Sequence, residues 1–237
     1  SGSGACFLNE ENIHGLESPP VSPVATTMLE YIDDLPTWDR SLFQWLRLLV
    51  DPFELVDLCT RSSSTEGVTL LFVSDGSAGN NSMSFAWVLA LPCGQRVVTC
   101  AGPVFGFRES SYRSEGYGVL SAVRFVYHLF QFCGCAPQWR YEYMADNKGL
   151  LTALLQDSQY VEAFPNTTLE ADWDIRNEIK ETLKLIGRPN SFSHVKGHQD
   201  EGHSVESLDL PAQLNVKADR EANAFRATYP AHRPLVP

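Results

Sequence analysis

The chain has 237 residues, 43% of them hydrophobic, and a formal net charge of −11. That length suits one domain of about 150 residues plus an extension. Its apolar runs fall short of the roughly 18 residues that span a bilayer, and no basic start followed by an apolar stretch marks a secretory leader.

The acidity predicts weak non-specific grip on a polyanion, but its distribution matters more than its total. Residues 1–66 carry −8 and residues 67–237 carry −3. Four acids of the second part are candidate metal ligands, and bound divalent ions would bring that part close to neutral. Six cysteines lie at 6, 59, 93, 100, 133 and 135. Cys133-Gly134-Cys135 is too tight for the usual zinc spacing, which leaves ordinary reduced thiols in an intracellular protein.

In chain order, Ser1-Gly2-Ser3-Gly4 reads as an appended leader outside the fold. Residues 5–27 hold Pro19, Pro20 and Pro23 without apolar periodicity and read as flexible chain. Over 36–58, Leu42, Trp45, Leu46, Leu49 and Phe53 follow Pro36 at the spacing of one helix face. That helix either docks on the main domain or touches a neighbouring one. Residues 61–67 read as a linker. The chain thus divides into an extension over 1–66, a main domain over 67–229 and a tail over 230–237.

The main domain opens with strands. Val68–Val73 runs into Asp75, and Ser84–Leu91 and Arg96–Ala101 flank a Pro92-Cys93-Gly94 turn. The period becomes helical from Arg113, with Val119, Ala122, Val126 and Phe130 as the apolar stripe. Trp139–Met144 is a strand leading to Asp146, residues 147–156 and 172–186 are helical, Ser191–Val195 is a short strand, and 215–228 is a last helix before Pro230. The order is β-β-β-α-β-α-α-β-α, with no internal repeat.

Four carboxylates fall at telling places. Asp75 and Asp146 sit at the ends of the first and fourth strands, where ligands bind in open α/β sheets. Glu115 lies in the first turn of the first helix, and Asp219 in the first turns of the last. If the first and fourth strands are neighbours, the four acids converge, and hard oxygen ligands suit Mg²⁺ or Mn²⁺. Two such ions about 4 Å apart can grip a scissile phosphate from both sides. Each acid alone has a plainer reading: Asp75-Gly76 as a turn, Glu115 as a charge complementing a helix N-terminus, Asp146-Asn147 as a helix cap, and Asp219 as a solvated helix residue.

The neighbours of these acids decide between the readings. Val73-Ser74-Asp75-Gly76-Ser77, Ser111-Tyr112-Arg113-Ser114-Glu115, Ala145-Asp146-Asn147, His194-Val195-Lys196-Gly197-His198 and Asn215-Val216-Lys217-Ala218-Asp219 follow in order. Over residues 68–228 they resemble the motifs of the type 1 ribonuclease H family. The wording Ser-Tyr-Arg-Ser-Glu-Gly-Tyr-Gly and His-Val-Lys-Gly-His-Gln-Asp is similar to retroelement reverse-transcriptase polyproteins, in which such a domain follows the polymerase. The resemblance implies an α/β ribonuclease H-like fold, a five-stranded mixed sheet with helices on both faces. It implies an endonuclease that cuts the RNA strand of RNA–DNA hybrids with two Mg²⁺ ions, Mn²⁺ substituting. A neighbouring reverse-transcriptase domain is the expected partner.

It further implies that Asp75 bridges both ions, that Glu115 and Asp146 hold the ion near the leaving group, and that Asp219 holds the ion that activates water. His198 moves protons or releases product. Gly76, Ser77 and Asn80, in a loop after the first strand, contact substrate, as do Ser111, Tyr112, Lys148 and Asn215. Two departures stand out. Lys148 replaces a polar amide, and residues 157–186 hold Asp157, Glu162, Glu170, Asp172 and Asp174 where a basic handle is expected. A catalytically inactive domain of this fold, or an integrase- or resolvase-type nuclease, are the alternatives; the Gly-His loop before Asp219 disfavours the latter. Zinc on His194 and His198 lacks the Glu that a metalloprotease motif needs after its first His, and His194 reads as a strand-end residue near the core. Residues 199–206 read as a mobile loop and Leu208, Leu210 and Leu214 as its anchor, with Pro211 starting the last helix.

Overall fold

The computed structural model describes residues 27–64, 69–134, 140–159, 170–187 and 190–228. The leader, nearly all of the segment read as flexible, the end of the linker and the tail lie outside the described residues.

The extension forms more than one helix. It contributes α1 (Met28–Asp33), α2 (Thr37–Ser41), β1 (Arg47–Leu48) and α3 (Pro52–Ser64). The single helix expected over 36–58 is therefore corrected to helix, strand, helix, for two physical reasons. Trp45 N–H donates to the Ala101 carbonyl at 3.0 Å and Leu49 N–H to the Val97 carbonyl at 2.9 Å, so an open sheet edge captures this backbone. Then Asp51 accepts from Phe53 N–H at 2.9 Å, capping a new helix that Pro52 opens, since proline lacks an N–H and none is needed at the first helical position. Met28, Ile32, Leu42, Phe43 and Leu55 are buried in the main core.

The main domain adds β2 (Thr69–Gly79), β3 (Ser82–Ala90), β4 (Arg96–Pro103), α4 (Ser111–Cys133), β5 (Arg140–Ala145), α5 (Lys148–Gln159), α6 (Trp173–Ile186), β6 (Asn190–His194), a 3₁₀ turn (Val205–Ser207) and α7 (Leu210–Thr228). The sheet has six strands in the order β1-β4-β3-β2-β5-β6, one more than expected, because β1 joins the edge. The pairs from β1 to β2 are antiparallel, and β2–β5 and β5–β6 are parallel.

Helices cover both faces, which is why β3 reads as a nearly unbroken apolar run. Phe72, Trp87 and Leu89 pack with α4 residues such as Leu120 and Phe125 in the larger core. Their neighbours Val73, Val88 and Ala90 face Leu214 and Ala218 of α7. Small residues on that face, Ala86 and Ala101 against Ala222, let α7 lie close to the sheet.

Candidate active site

β2 carries Asp75 deeper into the sheet than expected. Instead of ending near Asp75, the strand runs on to Gly79, paired residue by residue with β3. Its parallel pairing with β5 stops earlier, at Val73 opposite Met144. Asp75 thus lies on a continuous strand just past the point where its other neighbour gives out. The expected loop over Gly76–Asn80 is correspondingly strand; the turn is Asn80-Asn81, both left-handed at φ 58°.

α4 brings in Glu115. The helix begins at Ser111, capped by Ser110, whose side chain accepts from Arg113 N–H at 3.1 Å. Glu115 therefore falls in its second turn. Gly76 makes the approach possible: a Cβ there would stand 2.5 Å from Glu115 N and 2.6 Å from Ser114 Cβ. Asp146 follows the last residue of β5, and it is Asn147 that caps α5, accepting from Leu150 N–H at 3.1 Å. Gly197 closes over Asp146, since a Cβ at 197 would collide with the Asp146 carboxylate.

Asp75, Glu115 and Asp146 offer ligand oxygens that all lie within 4.8 Å of one another. Asp75 is 6% exposed and Glu115 4%. Gly76 N–H donates to Asp75 Oδ1 at 2.7 Å and to Glu115 Oε1 at 3.2 Å. Among the described residues no ion pair neutralises any of the three. Burial, then the Asp146 charge, pushes Asp75 up to about 7. Burial, then Asp75 and Asp146, pushes Glu115 well above the usual carboxylate range. Glu115 Oε2 is buried without a hydrogen-bond partner. A mutually repelling trio, two of its members buried and Asp146 half-buried, with an orphaned oxygen fits a hard divalent cation.

Asp219 stands outside the trio but within electrostatic reach of it. α7 starts at Leu210, not at 215, because Asp209 accepts from Ala212 N–H at 3.0 Å and Pro211 occupies the first turn. Asp219 is consequently mid-helix. Burial raises its carboxyl, opposed by the neighbouring His198 and by an Asn223 hydrogen bond. His198 is exposed, in a left-handed conformation at φ 51°.

Two residues expected to touch substrate are engaged internally. Asn215 is 1% exposed and donates to Asp75 Oδ2 at 3.2 Å. Ser77 is buried and bonded to Asn223 and Arg226. Asn80, Ser111 and Lys148 are exposed, and Tyr112 is half-buried. His194 does end β6, but it is exposed rather than near the core, with Nε2 3.0 Å from the Asp146 carbonyl. Of the five acids named over 157–186, Glu162 lies outside the described residues and the other four are paired. Arg113 binds Asp172 at 2.8 Å and Asp174 at 2.7 Å, and Arg176 binds Asp157 at 2.7 Å and Glu170 at 2.6 Å. Residues 201–204 are exposed, while Leu210 packs against the α7-side core and Leu214 is buried in it.

Sequence reasoning missed Asn223 and Arg226. Asn223 had a signal: it follows Asp219 by four residues, on the same helix face.

No protein-family model matches the sequence, and no curated protein matches it. Solved structures do. The solution structure of the RNase H domain of PFV is similar at a TM-score of 0.50 and 16% identity, covering 70% of this chain and 98% of that one. LC11-RNase H1, isolated from compost and solved in complex with RNA/DNA hybrid, gives 0.48 and 12%, covering 68% and 98%. The protease–reverse transcriptase of Prototype Foamy Virus gives 0.46 and 18%, covering 67% of this chain and 21% of that one. The first of these carries the assignment: the chain has the ribonuclease H fold.

Proposed function

We propose that the chain is an endoribonuclease that hydrolyses the RNA strand of RNA–DNA hybrids, leaving 5′-phosphate and 3′-hydroxyl ends. The observation that carries this reading is the closed trio of Asp75, Glu115 and Asp146 on a ribonuclease H fold, with Glu115 Oε2 unpartnered inside it. Asp75, Glu115 and Asp146 would hold one Mg²⁺ or Mn²⁺, and Asp75 with Asp219 a second. Bound there, such ions supply the Lewis acidity that activates water and stabilises the leaving oxygen.

The chain's own residues do the rest. Asn215 and the Gly76 N–H fix the orientation of the Asp75 carboxylate. His198, exposed beside Asp219, takes the proton of the attacking water and gives it up to solvent, while the leaving 3′-oxygen takes a proton from solvent to end as the 3′-hydroxyl. Asn80, Ser111, Tyr112 and Lys148 contact the hybrid around the site, where a 2′-hydroxyl is the group that separates RNA from DNA. The retroelement-like motifs support a place beside a reverse-transcriptase domain, which would supply hybrid affinity where the acidity of this chain predicts little.

The test is incubation with Mg²⁺ and a hybrid labelled on either strand, with duplex DNA and duplex RNA as controls. Cleavage of the hybrid's RNA strand alone, abolished by Asp146→Asn in a folded protein, is the expected result. Near wild-type cleavage by Asp146→Asn would remove it as a ligand, and an inert wild-type chain would leave only the fold.

A further inference from the structure

One flank of α7 carries a hydrogen-bond relay whose polarity is fixed at its far end. A guanidinium has donors and no acceptor. Arg226 Nε donates to Ser77 Oγ at 2.8 Å and Arg226 Nη1 to the Gly79 carbonyl at 3.1 Å. Ser77 Oγ accepts there, so its one proton goes the other way, to Asn223 Oδ1 at 2.7 Å. An amide held by its oxygen presents its NH₂ at the opposite end. That NH₂ donates to Asp219 Oδ1 at 2.7 Å. The relay is packed in place: Ser77 is buried, and a Cβ on Gly79 would stand 2.6 Å from Arg226 Nη1.

We propose that Asn223, oriented by Ser77 and Arg226, is a positioning residue that locks Asp219 for a divalent ion. The proposal rests on the reading of Asp219 as an ion ligand. Asp75 and Glu115 are fixed by burial and by the Gly76 N–H. Asp219 is only half-buried on a helix flank, so its carboxylate needs an outside tether. Asn223 holds one oxygen and leaves the other for the ion. A neutral amide does this without setting a cation where it would compete with the metal; the cation stands behind the amide, on Arg226, which holds Asn223 Oδ1 through Ser77 and directly at 3.5 Å. The tether also spans elements, because Ser77 and Asn223 are 146 residues apart. Ion binding at Asp219 is thereby coupled to the seating of α7 on the β2–β3 hairpin. Ser77, expected from the sequence to touch substrate, serves the ion instead.

The experiment uses the full chain and two readouts: Mn²⁺ binding by calorimetry, and the Mg²⁺ dependence of hybrid cleavage. Loss of an outer partner of a ligand typically costs about 10–100-fold in metal affinity. Asn223→Ala is expected to weaken the weaker Mn²⁺ site by that factor and to raise half-saturating Mg²⁺ equally, with KM for the hybrid within about twofold. Ser77→Ala shifts both in the same direction, and Ser77→Thr, which keeps the hydroxyl, restores them. Thermal melting monitors folding; should Asn223→Ala fold poorly, Ser77→Ala carries the same expectation from a smaller change. Wild-type Mn²⁺ affinity in folded Asn223→Ala and Ser77→Ala overturns the proposal while leaving the nuclease reading intact. A wild-type chain that binds no Mn²⁺ overturns both.

Discussion

The carboxylate trio should make the metal-free protein less stable as pH rises, and Asp75→Asn should reverse that penalty. In the folded chain Asp75 is raised from 3.8 to about 7, chiefly by burial and then by Asp146. The native state therefore binds this proton more tightly than the unfolded chain does. The stability it contributes is fully present below about pH 4, declines as pH rises, and is gone above about pH 7. At about 1.36 kcal/mol per pH unit the full effect is about 4 kcal/mol, and relaxation of the site trims it to about 2–4 kcal/mol. Asn at 75 does not ionise. Its single oxygen can keep the Asn215 bond, and Gly76 N–H retains Glu115 Oε1, so the substitution costs about 1–2 kcal/mol in hydrogen bonding. The two effects have opposite signs. Measured by urea unfolding with EDTA present, Asp75→Asn is expected to be less stable than wild type near pH 4.5 and more stable near pH 7.5. Mg²⁺ at a hundredfold excess over its Kd should then restore about 2.7 kcal/mol to wild type and much less to the mutant. Stability curves that run parallel across this pH range would refute the argument, because neither burial nor Asp146 would then be raising the Asp75 carboxyl.

Leu55→Ala is expected to destabilise the protein by about 2–5 kcal/mol in urea unfolding, since Leu55 is 0% exposed in the shared core; a change near zero would take the extension out of the folding unit. His198→Ala should slow hybrid cleavage by about 10²–10⁴-fold while calorimetric Mn²⁺ binding stays as in wild type, and an unchanged rate would remove the imidazole from the mechanism. Gly76→Ala should abolish cleavage and lower the melting temperature together, because the new Cβ meets the α4 backbone at Glu115; an active, stable Gly76→Ala protein would show that α4 can retreat without losing the site. Replacing residues 200–206 with a short Gly-Ser turn should slow cleavage at an unchanged melting temperature, as 201–204 are exposed and Leu210 and Leu214 remain to anchor α7, whereas full activity would make the loop a tolerated insertion.

The acids were legible in the sequence because chemistry confines them to recognisable places. A candidate ligand in a sheet crevice sits where pairing ends or on a helix's first turns, so Asp75, Glu115 and Asp146 carry local marks: an apolar run before, a glycine or a cap beside. The succession of strands and helices along the chain from β2 onward was legible through alternation and period, whereas the order of strands within the sheet was not. What failed was non-local. The stripe Leu42, Trp45, Leu46 and Leu49 has helical spacing, yet β1 forms there because β4 offers an unpaired edge far along the chain; the Asp51-Pro52 helix start was the local clue that outweighed it. The sixth strand and the burial of the extension follow from that one edge. Asn215 and Ser77 were assigned to substrate because motifs record that a polar residue is needed, not which way it faces. Asn215 points into Asp75, and Ser77 toward Asn223. Gly197 shows the same blindness, since only the folded chain reveals that its missing Cβ makes room for Asp146. Sequence thus announces groups that do chemistry where one element ends, whereas groups that orient them act across elements. The relay from Arg226 to Asp219 is of the second kind, and for that reason a substitution there should change ion affinity without altering any motif that marks the site.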